Sequence, residues 1–102
     1  MTDYRDAQIG QMVRVLKGKD AGIYGVIVER MDEKFVRIAD GNKRKFDQAK
    51  RKNLQHLQLL PWISEEVVNS LRESGRVTNG KLRHAVISFT RFTDTITEEK
   101  GD

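Results

Sequence analysis

Between Ile9 and Leu60 apolar residues come in short runs, several alternating with polar ones, and each run is closed by glycine, aspartate or a cluster of charges. Alternation with a period of two marks strands that bury one face. A first strand is predicted to begin at Ile9, with Val13 and Val15 on one face and Met12, Arg14 and Leu16 on the other. The next, over 23–30, is apolar on both faces through Val26, Ile27 and Val28, so the pattern assigns it no inward side. A small closed barrel would bury one of those faces and cover part of the other with a later segment. Met31 to Lys34 reads as a polar hairpin turn, and Phe35 to Ala39 then alternates with Val36 and Ile38 inward and Arg37 outward. Asp40-Gly41 is a tight-hairpin signal, expected to lead into a short strand over 43–46. A basic turn at Lys50-Arg51-Lys52-Asn53 and a last strand over 54–60, with Leu57 and Leu59 on one face, complete the set.

Five short strands with tight turns suit a small barrel of the SH3-like or OB-like kind. Pro61 is expected to end the last strand, because it has no N–H to give to a ladder. Trp62 and Ile63 read as a plug that docks the C-terminal part of the chain onto the barrel. Ser64 is a suitable N-cap, with Glu65 and Glu66 in the first turn, where the helix dipole favours anions. Val67, Val68 and Leu71 give helix 65–74 an apolar stripe, and Gly75 suits its C-terminal cap. A second helix, capped by Thr78 or Asn79, would carry Leu82, Ala85, Val86 and Phe89 on one face, although 86–90 also reads as strand. The expected organisation is a mainly β fold: a five-stranded barrel over 1–61, with residues 1–8 loosely docked. A helical appendage over 62–93 and a disordered polar tail over 94–102 complete the chain.

A chain of 102 residues is long enough for one modest core. It has no cysteine, which excludes disulfides and thiolate metal sites. No apolar run approaches the roughly 18 residues of a membrane span, and Asp3, Arg5 and Asp6 do not read as a signal peptide. No membrane role and a cytoplasmic location are the expectation. The net charge of +4 is unevenly placed: residues 34–56 carry +6, whereas 1–33 and 64–102 carry −1 each. That is a local field in the middle of the chain rather than a general aid to solubility.

The residues that organise this chain run from Val13 to Val28. Two β-branched runs flank a loop with glycines at 18, 22 and 25 and with Lys17 and Lys19 on it, and Gly25 suggests a bulge or a close approach of another backbone. Val13, Val15, Gly18, Lys19, Gly22, Gly25 and Ile27 together resemble a KOW motif. That motif occurs, within an SH3-like barrel, in ribosomal proteins and transcription elongation factors. Gly10-Gln11-Met12-Val13, the Gly-Lys-x-x-Gly loop and the basic stretch ahead of Leu54 extend the likeness over 9–60. They resemble large-subunit ribosomal proteins of the archaeal and eukaryotic type. The resemblance implies an SH3-like rather than an OB-like barrel, binding structured RNA, above all ribosomal RNA.

Lys43-Arg44-Lys45 and Lys50-Arg51-Lys52 are the residues to set against phosphates, since each cation so placed releases condensed counterions. A charge run is also what a solvated turn looks like; the hairpin is the independent feature that favours RNA. Lys17 and Lys19 would join the same edge, with Arg37 exposed on its strand and Tyr24 either stacking on an unpaired base or packing beside the barrel core. Phe35 and Trp62 read instead as packing residues. His56 and His84 fall in different elements and make no metal site, and Ser88, Thr90, Asp20 and Glu65-Glu66 are not spaced as a nucleophile with its base. Asp20 after Lys19, with a strand to come next, rules out a phosphate-binding loop that opens a helix. The expectation is a non-catalytic RNA-binding protein without cofactor or metal, partnered by ribosomal RNA or the large subunit in translation or assembly. The alternative is a protein-interaction module of the transcription or translation machinery, using the helices over 64–90. The modest net charge suits a factor that visits the ribosome.

Overall fold

The computed structural model describes residues 6–101, with side chains as far as Thr93. Five strands form one antiparallel sheet: β1 (Gln11–Val15), β2 (Tyr24–Arg30), β3 (Phe35–Ala39), β4 (Lys50–Asn53) and β5 (Leu57–Ile63), in the order β4-β3-β2-β1-β5. Two helices come after the sheet, α1 (Glu65–Ser74) and α2 (Asn79–Gly101). The tight turn 54–56 draws the two ends of the sheet together. Leu54 donates its N–H to the Lys34 carbonyl at 2.8 Å, and the His56 carbonyl accepts from the Leu16 N–H at 2.8 Å. The result is a small SH3-like barrel with helices on one outer face.

The two apolar faces of β2 serve two cores. Ile27 joins Val13, Val15, Val36, Ile38, Leu54, Leu57 and Leu59 inside the barrel. Val26 and Val28 face outward with Met12 and Ala39, against Val67, Val77, Leu82, Ala85 and Phe89 from the helical region. Half-buried Trp62 sets its ring edge-on to Phe89 with centroids 5.7 Å apart, the docking role expected of it. The helical region thus shares a core with the sheet.

Several expected boundaries move. The segment 40–45 is a turn, and the basic residues Lys50–Asn53, expected as a turn, are strand β4. No apolar alternation announces β4; its strand state comes from pairing with β3, Ile38 opposite Lys50 and Phe35 opposite Asn53. Pro61 does not end β5, which runs on to Ile63. β5 is the last strand in the order and its pairing with β1 shifts register between Gln11 and Val13, so Pro61 sits where no ladder bond is demanded. Gly25 sits in regular pairing with Val13, and the irregularity in β2 falls after Ile27 instead. Ala7, placed in a loose N-terminal stretch, is buried in the barrel core and gives its carbonyl to Arg30 Nη1 at 2.7 Å.

Helix α1 begins as expected, with Ser64 Oγ accepting from the Val67 N–H at 3.3 Å, and it ends at Gly75. Residues 86–90 are helical, and the helical backbone of α2 continues through the segment expected as a tail to Gly101. Among the described residues no helix is long and apolar enough to cross a membrane.

Candidate nucleic-acid interface

The loop between β1 and β2 is closed by the Gly22 N–H donating to Val15 O at 2.7 Å and the Ala21 N–H donating to Gly18 O at 3.2 Å. Gly18 has φ +98°, a conformation that side-chain-bearing residues rarely adopt. Lys17 and Lys19, on either side of it, are exposed. Asp20 is folded inward instead, its side chain only 4% exposed.

Asp20 ties this loop to the turn 40–45. Its Oδ1 lies 3.4 Å from Lys43 Nζ, and its Oδ2 accepts from Arg44 Nε at 3.3 Å. Burial alone would push this carboxyl up, but the hydrogen bonds and charges of Arg44 and Lys43 outweigh that and hold it below its ordinary value of 3.8. A carboxylate that stays ionised keeps both cations beside the hairpin loop. The turn itself is shaped by Asp40, whose Oδ1 accepts from the N–H groups of Asn42 (2.9 Å) and Arg44 (2.8 Å).

β4 arrives at the same edge. Lys52 Nζ stands 3.4 Å from where a Cβ on Gly18 would be. Lys50 and Lys52 pair with Ile38 and Val36 and share their face of the sheet, whereas Arg51 pairs with Arg37 on the other face. Three segments distant in sequence thus converge: the hairpin loop with Lys17 and Lys19, the turn with Lys43, Arg44 and Lys45, and β4 with Lys52 at the loop. Asp20 is the acid inside this group, and it offsets one of the positive charges.

The other residues singled out in sequence stand apart. Arg37 pairs with Glu29 at 3.2 Å, both well exposed, an arrangement that contributes little to stability. Arg51 lies over the ring of Phe35, 3.8 Å from its centroid, leaving that half-buried ring covered on one side. Tyr24 packs against Phe89 with ring centroids 5.4 Å apart, in the outer core.

Sequence reasoning missed the support that α2 gives the basic turn. Gly41, at φ +80°, lies so close to the start of α2 that a Cβ would run into the Asn79 carbonyl oxygen and crowd Leu82 Cβ at 2.9 Å. Arg83 Nη1 donates to the Gly41 carbonyl at 2.7 Å, and Asn79 Oδ1 accepts from the Phe46 N–H at 2.8 Å. Asp40-Gly41 signalled a glycine-dependent turn, but nothing local to it signals a helix 42 residues further on.

Comparison with known proteins agrees with the hairpin. The KOW motif family model matches residues 9–38. A Bacillus subtilis (strain 168) protein described as "Putative ribosome-binding protein YbzG" is 45% identical over 71 residues, covering 70% of this chain and 96% of that protein. With the motif and its hairpin geometry in the same residues, and a relative matched almost end to end, the chain belongs to the KOW-motif family.

Proposed function

We propose that this chain is a non-catalytic RNA-binding protein that attaches to ribosomal RNA of the large subunit through the basic edge, in a ribosome-related role in the cytoplasm. The observation that carries the reading is the meeting of the hairpin loop with the turn 40–45 through the buried Asp20 carboxylate, and with Lys52 beside Gly18. Cations gathered on one edge are what a phosphate backbone recognises, and their yield is counterion release. The Bacillus relative's description as ribosome-binding supports the choice of RNA. Lys17, Lys19, Lys43, Arg44, Lys45, Lys50 and Lys52 make the principal contacts; Arg37, Arg51 and Tyr24 belong to the neighbouring face.

The test is equilibrium binding to purified large-subunit ribosomal RNA across a salt series. Replacing Lys43, Arg44, Lys45, Lys50, Arg51 and Lys52 by glutamine is expected to weaken binding by about a hundredfold or more at low salt and to flatten the dependence of log affinity on log salt. Parental affinity in that variant would remove the basic edge as the site. A protein partner is the second reading, favoured by Ile87 and Phe92, which are 45% and 50% exposed on α2. Ribonuclease treatment separates the two: a protein held by RNA is released, and one held by protein is not.

A further inference from the structure

We infer that α2 takes part in RNA binding as the support of the basic turn, with Asn79 and Arg83 as positioning residues for Lys43, Arg44 and Lys45. The inference rests on the RNA-binding reading and brings into it α2, which that reading leaves without a part.

Three consecutive cations on a turn repel one another, and long side chains on a loose backbone must be ordered when they bind. That ordering is subtracted from affinity. The turn 40–46 lies outside the strand ladder; the Asp40 and Gly41 N–H groups on the Arg44 carbonyl, and the Asn42 and Arg44 N–H groups on Asp40 Oδ1, shape it without tying it to another element. Asp20 holds two of the side chains from the hairpin side. The backbone is held from the helix side, at its beginning by Arg83 on the Gly41 carbonyl and at its end by Asn79 on the Phe46 N–H. Gly41 seats flat on the first turn of α2, where any side chain would lift it away. α2 is in turn fixed to the outer face of the sheet by Leu82, Ala85 and Phe89. A continuous line of contacts therefore runs from the sheet through α2 to the turn that carries the three cations. Leu82, Ala85 and Phe89 pack the helix on the sheet; Asn79 and Arg83 add contacts whose partners are in the turn.

The distinguishing property is that Asn79 carries no charge. Its replacement removes no phosphate contact of its own, so any change in salt dependence has to come through the cations it positions. The full-length chain would be titrated with a labelled RNA hairpin over a salt series, and folding of each variant checked by thermal melting. Asn79→Ala is expected to weaken binding about three- to tenfold and to lower the salt slope by about one. Arg83→Ala is expected to weaken it comparably, and Arg83→Lys, which keeps a donor, to stay close to the parent. In a background carrying Lys43→Gln, Arg44→Gln and Lys45→Gln, neither alanine variant should have a further effect, because coupled residues fail to add.

The inference is overturned if the parent binds with a steep salt slope and both alanine variants retain its affinity and slope. Equal losses in the parental and triple-glutamine backgrounds would also overturn it, since the effect would then bypass the turn. Should Asn79→Ala fail to fold, Arg83→Ala compared in the parental and triple-glutamine backgrounds decides alone, since an Arg83 that met phosphate itself would lose affinity in both. A parent that shows no salt-dependent RNA binding defeats the underlying reading, and this one with it.

Discussion

Among the described residues Asp20 is the one charged side chain that is buried, and its environment makes a pH prediction. Its carboxyl is held below 3.8 by Arg44 and Lys43 against the opposing push of burial. A depressed carboxylate contributes stability that is present above the unfolded-state value and is lost as the pH falls through the folded one. Unfolding free energy should therefore drop as the pH is lowered below about 4, and Asp20→Asn should flatten part of that acid limb. Part of the acid sensitivity should survive, because the Asp32 carboxyl is also depressed, by the N–H groups of Lys34 and Phe35. Near neutral pH, Asp20→Asn should cost about 1–2 kcal/mol in urea unfolding, from weakened charge-assisted hydrogen bonds. An unchanged acid limb would show that the carboxylate is not held as described. Gly41 supplies a second prediction. Gly41→Ala forces both a left-handed backbone and a collision with α2, and should destabilise by at least about 1–3 kcal/mol in the same assay.

β3 and α1 were legible in the chain because each carries its own signal: alternation in Phe35–Ala39, and a Ser64 cap with a Gly75 stop around Glu65–Ser74. β4 was not legible. Lys50–Asn53 offers no apolar residue to alternate, and only the neighbouring strand makes it a strand. The same limit hid part of the candidate site. That the Gly18 loop, the turn with Lys43 and Arg44, and Lys52 meet depends on barrel closure, and the contacts of Asn79 and Arg83 depend on how α2 docks. No local pattern encodes either. Docking of α2 has its own test. Phe89 is buried between Tyr24 and Trp62, so Phe89→Ala should cost about 3–5 kcal/mol in denaturant unfolding. A loss under about 1 kcal/mol would mean that the helix does not share the sheet's core.

Taken whole, the molecule is a barrel that serves two cores with one sheet, and it concentrates its charge excess in the stretch that forms one edge. Residues 34–56 carry +6 against −1 on either side, and folding brings the loop that carries Lys17 and Lys19 against Lys43, Arg44 and Lys52 of that stretch. The small total charge fits an attachment that depends on a local field and is reversed by salt. Sedimentation of a cell lysate through a sucrose gradient, at low and at high salt, tests this most directly. The parent is predicted to travel with large ribosomal subunits at low salt and to remain near the top at high salt. The variant with Lys43, Arg44, Lys45, Lys50, Arg51 and Lys52 replaced by glutamine is predicted to remain near the top in both. A parent that stays at the top at low salt, or a charge-depleted variant that still travels with the subunits, would contradict the assignment of the basic edge to ribosomal RNA.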